Sequence, residues 1–321
     1  MASVACDVVT VALAFLGAWC LFCFLKDTLV VLLQTVRGHL APYLLAGYEE
    51  STVKRFGEWA LVTGCTDGIG KEYARQLASR GHSIILVSRT ESKLQSIAQE
   101  LEQAYSVKTK MIQVDFSEGR TAIEKVRKEV GNIPVSVLVN NVGAQYDHPM
   151  YVGEVPEHEL WNIVHLNVGA LTMLTRIFIN DMLKRQRGAI VNVSSGAELQ
   201  PLPLMASYAA SKAYVKSFTQ ALQYEYRRSN LTIQHLSPMF INTKMNQFSK
   251  RLQKNSFFVP DAKMYAEYAV STLGKVDHST GYWTHGIQCF FTRVPPSWLR
   301  LRIGGQLNAT FRRDYFKSIR K

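Results

Sequence analysis

The chain has 321 residues, 47% of them hydrophobic and 19% charged, with 37 Lys and Arg against 25 Asp and Glu for a formal charge of +12. That composition excludes a disordered protein and fits one large domain carrying an apolar attachment. The positive balance admits an anionic partner, but the sequence has no zinc-finger spacing, no aromatic RNA-binding signature and no basic arm, so nucleic acid is not expected.

The first element runs from Val8 to Leu25, VVTVALAFLGAWCLFCFL, eighteen uncharged residues between Asp7 and Lys26 and just long enough to cross a bilayer core. The leading MASVACD has no cation and no clear cleavage site follows, so a retained anchor is expected in preference to a cleaved signal peptide. The apolar TLVVLLQTV that follows is too short to span by itself; it extends or tilts the first helix, or lies at the interface. Lys26 and Arg37 after the span, against Asp7 before it, place the remainder in the cytosol. The sequons at Asn192, Asn230 and Asn308 are accordingly expected to stay bare. Five cysteines (Cys6, Cys20, Cys23, Cys65 and Cys289), odd in number and without framework spacing, read as reduced thiols.

Beyond residue 50 short β-branched runs alternate with longer amphipathic stretches. The predicted strands are EWALVTG (58–64), HSIILVSR (82–89), KTKMIQVD (108–115), VSVLVNN (135–141), GAIVNVSS (188–195) and LTIQHLS (231–237). Helical patterns such as KEYARQLASRG and ESKLQSIAQELEQAY separate them, the arrangement of a parallel sheet covered on both faces. Such a sheet binds ligands at the carboxyl ends of its strands. The first strand ends there in TGCTDGIG, with Gly64, Gly68 and Gly70 set for a tight turn, a close backbone approach to a pyrophosphate and a closely packed helix. The expected fold is therefore α/β, a doubly wound parallel sheet of Rossmann type in a single domain, with an N-terminal membrane anchor helix. The expected divisions are an anchor region at 1–50, a catalytic domain at 51–285 and a basic amphipathic segment at 286–321. After the second strand stand Ser88 and Arg89 where a carboxylate would favour NAD; a guanidinium suits a 2′-phosphate, so NADPH/NADP is the expected cofactor, against a solvated arginine at a strand end. No metal site is expected.

Tyr208 precedes Lys212 by four residues in SYAASKAYVKS, which puts both on one helical face and by itself says little. Together with the glycine turn, however, the chain resembles the short-chain dehydrogenase/reductase family over roughly residues 55 to 275. The resemblance implies a cofactor turn of Gly64, Thr66, Asp67, Gly68, Ile69 and Gly70, an adenine contact at Asp115, and a fourth-strand motif contributing Asn141, Val142 and Gly143. It implies further that Asn167, Ser195, Tyr208 and Lys212 form the catalytic set, that Ile241 and Thr243 hold the carboxamide, and that Lys212 holds the nicotinamide ribose. In that scheme Tyr208 supplies the proton, Lys212 with the oxidised nicotinamide lowers its pKa, Ser195 rather than the neighbouring Ser194 polarises the carbonyl oxygen, and Asn167 holds a water that reprotonates Lys212.

VSRTESKL, LQYEY, SPMFINTKM and AEYAVSTLGKVDHSTGYWTHGIQ are similar to the microsomal branch of 17β-hydroxysteroid dehydrogenases and very-long-chain 3-oxoacyl-CoA reductases, and also to its hydroxysteroid dehydrogenase-like proteins, some of which lack the tyrosine kept here as Tyr208. Met239 and Val142 depart from the family's common Pro-Gly and NNAG, departures that the resemblance to this branch tolerates and that remove no reacting group. The expected function is NADPH-dependent reduction of a lipophilic ketone, a long-chain 3-oxoacyl-CoA or a 17-ketosteroid, the alternative being a lipid or protein interaction module with little or no catalysis. Residues Leu199, Leu202, Leu204 and Met205 line an apolar substrate entrance or simply pack a loop. Lys250, Arg251 and Lys254 face coenzyme A phosphates or anionic headgroups, or form a solvated helix face. The C-terminal segment from Pro295, rich in Trp298, Leu299, Leu301, Ile303 and Phe311 among cations, lies on membrane lipids or covers a homodimer interface. The tail SIRK has no dilysine signal, so the endoplasmic reticulum membrane is expected from the anchor and the resemblance, with the mitochondrial membrane as alternative.

Overall fold

A computed structural model of the protein describes residues 10–22, the single positions 26, 29 and 33, and 51–319. Thr10–Phe22 is an uncharged, exposed apolar helix (α1). The two ends of the expected span, 8–9 and 23–25, lie outside the described residues, as do Cys6, Asp7, Cys23, Arg37 and most of the second apolar stretch. Of the described thiols, Cys65 and Cys289 are buried and Cys20 is exposed.

After a short helix, α2 (Thr52–Phe56), the chain alternates: β1 (Trp59–Thr63), α3 (Gly68–Ala78), β2 (Ser83–Ser88), α4 (Glu91–Tyr105), β3 (Thr109–Gln113), α5 (Arg120–Val130), β4 (Val135–Asn140), α6 (Glu157–Ile163), α7 (Leu171–Lys184), β5 (Gly188–Val193), α8 (Ala206–Glu225), β6 (Leu231–Leu236), α9 (Ala262–Ser271), β7 (His278–Ser279), α10 (Trp283–Arg293) and α11 (Ser297–Ile319). All six predicted strands are present, and β7, too short to carry a pattern, adds a seventh. The order is β3-β2-β1-β4-β5-β6-β7 and every pairing is parallel. The chain runs outward from β1 to β3, then returns to pair β4 on the other side of β1, which opens a crevice at the carboxyl ends of these two strands.

The strands read as unbroken apolar runs because both faces are buried. On β1, Ala60 and Val62 pack with Tyr73, Ala74 and Leu77 of α3, Leu94 and Leu101 of α4, and Tyr265 of α9. Leu61, between them, points to the opposite layer, where it joins Ala122 and Val126 of α5, Leu174, Phe178 and Met182 of α7 and Leu222 of α8. Glu157–Lys184 is apolar enough to cross a membrane, but it is half embedded in this second layer. Between α6 and α7 that helix widens into a seven-residue π turn, Val164–Ala170, a form that recurs at functional sites. Two of the three sequon asparagines are inside the fold: Asn192 is buried in β5 and Asn308 donates to the Pro203 carbonyl at 2.8 Å. The division expected at 285/286 falls within α10.

Candidate active site

Strand pairing stops one or two residues short of the predicted ends, so Gly64, Arg89, Asp115, Asn141 and Ser195 all emerge in loops at the same rim of the sheet. Gly64 and Gly68 have φ of +65° and +53°, the left-handed region that favours glycine. Gly70 is constrained by space instead: a Cβ there would stand 2.3 Å from both Asn141 Nδ2 and the Gly64 carbonyl oxygen. Asp67 caps α3 by accepting from the Gly68 amide at 2.9 Å, and Thr66 Oγ1 and Ser88 Oγ share a hydrogen bond of 2.8 Å. Thr63, which carried no sequence signal, is the hub of the next loop. Its hydroxyl donates to the Val139 carbonyl at 3.1 Å and accepts the amides of Asn141 and Val142, each at 3.0 Å. The Asn141 side chain donates back to the Thr63 carbonyl at 2.9 Å, so the loops after β1 and β4 form one rigid pair.

These loops enclose a cavity of about 1120 Å³ that also takes in Thr243, Ser195, Tyr208 and Lys212. Pockets for a single drug-sized ligand measure roughly 300–1,000 Å³, so this cavity stands just beyond the large end of that range. Of the expected cofactor residues, Gly64, Thr66, Asp67, Gly68, Ile69, Ser88, Arg89, Asp115, Asn141, Val142, Gly143, Ile241 and Thr243 line it, while Gly70 lies behind the turn. Lys93, one turn into α4, joins Arg89 on the wall; its position within a helix gave no cue in the sequence. Two cations beyond β2, glycines whose backbone lies bare and the N-terminus of an eleven-residue helix form a donor set that fits a phosphorylated dinucleotide.

Deeper in, Ser194 and Ser195 separate by role. Ser194 is buried and donates to the Lys212 carbonyl at 3.0 Å, whereas Ser195 lines the cavity and accepts from the Ala197 amide at 3.2 Å. Tyr208 and Lys212 share one face of α8, and both are buried. The Lys212 ammonium donates to the Val193 carbonyl at 3.1 Å and lies 5.9 Å from the centre of the Tyr208 ring. Burial lowers the Lys212 pKa to about 8, with the charge of Glu198 pulling the other way. Burial also raises that of Tyr208, and a hydrogen bond with Ser195 only partly offsets it. In the protein by itself desolvation wins and Tyr208 is held as an acid; the lowering expected of Lys212 together with the oxidised nicotinamide concerns the cofactor-bound site. Asn167 sits in the π turn. Its amide accepts from the Ala144 amide at 2.8 Å and donates to the Ala144 carbonyl at 2.9 Å and to Ser211 Oγ at 2.8 Å. The side chain is thus committed to bracing the loop after β4 against α8, and a Cβ on Gly143 would meet it at 3.0 Å.

Glu198, His235 and His278 come from distant parts of the chain, which is why sequence reading missed them. The Glu198 carboxylate lies 2.8 Å from His235 Nε2, and His235 Nδ1 lies 2.6 Å from His278 Nδ1. Burial pushes the Glu198 carboxyl up, but the hydrogen bond and charge of His235, with Ser194 and Lys216, carry it below the usual value.

The far end of the cavity is apolar and belongs largely to α11. Phe311 sets its ring edge-on to Phe240 and Phe248, at 6.0 and 5.6 Å between centres. Gly304 lets α11 approach the loop before α8 so closely that a Cβ would stand 3.0 Å from Leu202. Arg312 fixes the other end with two hydrogen bonds to Glu154, at 2.7 and 3.0 Å. The segment read as a membrane or dimer surface is thus also a cavity wall. Leu202 and Met205 line the cavity as expected; Leu199 and Leu204 do not. Leu204 adopts φ of +66° in a turn and lends its carbonyl to the Met150 amide at 2.9 Å.

The family model described as short chain dehydrogenase matches residues 58–254. Among curated proteins, the human "Inactive hydroxysteroid dehydrogenase-like protein 1" is 40% identical over 311 residues, covering 96% of this chain and 93% of that protein. The very-long-chain 3-oxoacyl-CoA reductase of Rattus norvegicus is 35% identical over 269 residues, covering 83% of this chain and 85% of that protein. A solved short-chain dehydrogenase from Sphingobium yanoikuyae in complex with NADPH superposes with a TM-score of 0.60 at 26% identity, covering 66% of this chain and 83% of the other.

Proposed function

Because the chain belongs to the short-chain dehydrogenase family, we propose that it is a membrane-anchored, NADPH-dependent reductase of lipophilic ketones, a long-chain 3-oxoacyl-CoA before a 17-ketosteroid. The observation that carries this reading is the meeting of Ser195 with the buried Tyr208 and Lys212 on one wall of the cavity, between a rim suited to phosphate and an apolar wall. NADPH, when bound, supplies the hydride. Arg89 and Lys93 take the 2′-phosphate, and the turn from Gly64 to Gly68 with the N-terminus of α3 takes the pyrophosphate.

The Ser195 hydroxyl donates to the ketone oxygen as negative charge grows there, and Tyr208 passes its proton to the same oxygen. A buried phenol is the protonated partner that reduction needs at neutral pH. Below its pKa of about 8 Lys212 is an ammonium, and it stabilises the phenolate left behind. Asn167 keeps the loop carrying Gly143 at its distance from Lys212. The substrate class follows from the wall of Phe240, Phe248, Ile303, Leu307 and Phe311, which offers a long apolar body no hydrogen-bond partner it would waste. Apolar α1 supports attachment to a membrane, and the endoplasmic reticulum with a cytosolic site remains the compartment proposed.

A second reading, a membrane-bound lipid or protein interaction module with little or no catalysis, has one specific support: the human relative is called inactive. The test is NADPH oxidation by the detergent-solubilised protein with a long-chain 3-oxoacyl-CoA and a 17-ketosteroid in parallel, alongside NADPH binding by fluorescence. Turnover that is lost in Tyr208→Phe while binding persists supports the reductase; binding without turnover on either ketone supports the second reading.

A further inference from the structure

Along α10 and its C-cap the residues Trp283, Ile287, Phe291 and Val294 follow one another at helical spacing, and all are exposed. The stripe does not stop at the helix. Phe257 sets its ring edge-on to Trp283 at 5.0 Å, its neighbour Phe258 stands 5.0 Å away in the same manner, and Gln288 Nε2 donates to the Phe258 carbonyl at 3.1 Å, fastening that loop to α10. At the other end the chain turns through two prolines into Trp298 of α11, 65% exposed, as Phe291 is 66% exposed. An apolar band across two helices and a loop exceeds what a soluble surface leaves uncovered without reason.

Charge identifies what covers it. The two segments that build the band, 244–259 and 283–313, contain no Asp or Glu. Lys244 and Arg312 within them pair with Asp67 and Glu154 from elsewhere in the fold, and Arg251 lies 4.0 Å from Asp314, the residue that follows the second segment. Lys250, Lys254, Arg293, Arg302 and Arg313 form none of the ion pairs seen among the described residues. A two-fold dimer would press such a patch against itself and bring like charges together, and protein interface cores are depleted in charge. Exposed aromatic side chains on segments that carry unopposed cations and no carboxylate match the headgroup boundary of an anionic bilayer, to which uncharged α1 of the same chain is also suited.

We propose that the face formed by the 257–258 loop, α10 and the start of α11 docks on an anionic phospholipid bilayer and turns the mouth of the cavity toward the acyl chains. Ile303 and Leu307 mark that mouth, since both line the cavity and both are exposed, at 51% and 43%. A lipophilic substrate reaches Tyr208 without crossing water. The docking stands independently of catalysis; only this route for the substrate rests on the proposed function.

The test is photocrosslinking of the full chain in vesicles of phosphatidylcholine with phosphatidylserine, and of phosphatidylcholine alone. The photoreactive residue p-benzoyl-phenylalanine is placed at Phe291, at Trp298 or, as a control at the C-terminal end of α4, at the exposed Tyr105. Mass spectrometry should find lipid adducts at the first two positions and none at Tyr105. Each of Arg293→Gln and Arg302→Gln should cut the adduct yield about fivefold in the anionic vesicles, and Tyr208→Phe should leave it unchanged. Covalent dimers in place of lipid adducts would assign the face to a second copy and overturn the proposal. So would the absence of adducts at Phe291 and Trp298 in protein that stays with the vesicles through alkaline extraction.

Discussion

Gly70→Ala puts the packing of the cofactor turn to a quantitative test. The added methyl would stand 2.3 Å from Asn141 Nδ2, 2.3 Å from the Gly64 oxygen and 2.9 Å from the Gly64 carbonyl carbon. Ordinary contacts begin near 3.5 Å, so something must move by about an ångström. None of the three atoms is the free end of a flexible chain. Two are backbone, and the Asn141 amide is held by its bonds to Thr63 and Gly64, at 2.9 and 3.3 Å. Overpacking costs about 1–3 kcal/mol and the weakened Asn141 bond about 1 more, which for a domain of this size lowers Tm by roughly 3–7 °C. Moving the turn also withdraws the Gly64 and Gly68 backbone from the phosphates, so NADPH affinity should fall at least about tenfold, the equivalent of ~1.4 kcal/mol. Differential scanning fluorimetry with and without NADPH reads both effects. Gly153→Ala, where a methyl meets nothing within 4 Å, is the matched control. A Gly70→Ala protein with the parent's melting temperature and affinity would refute the close approach of the two loops.

Arg89→Glu places a carboxylate beside Lys93 on the wall expected to hold the 2′-phosphate; binding should shift from NADPH toward NADH by at least about tenfold, measured by cofactor titration. Phe311→Ala removes a buried ring from the apolar wall and should cost about 3–5 kcal/mol of stability and raise KM for a long-chain ketone more than it lowers kcat. Burial depresses His82 to about 4 and His278 to about 3, so the unfolded chain binds protons first as pH falls through 6.5. Stability contributed by these two histidines is therefore full above pH 6.5 and is lost toward pH 4, roughly 2–3 kcal/mol of it by pH 5.5; equal melting temperatures at pH 7.5 and 5.5 would contradict their burial as neutral groups. Glu198→Gln removes the charge that opposes desolvation of Lys212, so the alkaline limb of the NADPH-oxidation profile should move to lower pH, with NADPH affinity at pH 6.5 kept.

The six longer strands and the loops at their carboxyl ends were legible because a sheet buried on both faces leaves continuous apolar runs, and because glycine at 64, 68 and 70 serves a turn that few other residues can make. Tyr208, Lys212 and Ser195 could be singled out through their resemblance to a known pattern, and the structure brings them together. What escaped is what tertiary contact decides. His278 forms a two-residue strand whose meaning appears only when His235 and Glu198 arrive beside it. The π turn around Asn167 has no signature, since its wider spacing is set by the loop it braces. Leu204 looked like its neighbours Leu202 and Met205, yet backbone conformation turned it away. The amphipathic pattern of α11 was visible, but periodicity cannot say that its apolar side faces Phe240 and Phe248 while other apolar residues stay exposed.

The division of labour between the sheet and α11 bears on how such a protein changes over generations. The groups proposed to carry protons and hold cofactor lie in the rim loops and α8, joined to one another by hydrogen bonds. The surface that would greet the substrate's body is a separate helix attached through Gly304, Asn308, Phe311 and Arg312. Substitutions at Ile303 or Leu307 can remodel what is admitted while leaving the acid, its lysine and the cofactor cradle untouched. Selectivity would therefore be free to drift without change in the proposed reaction.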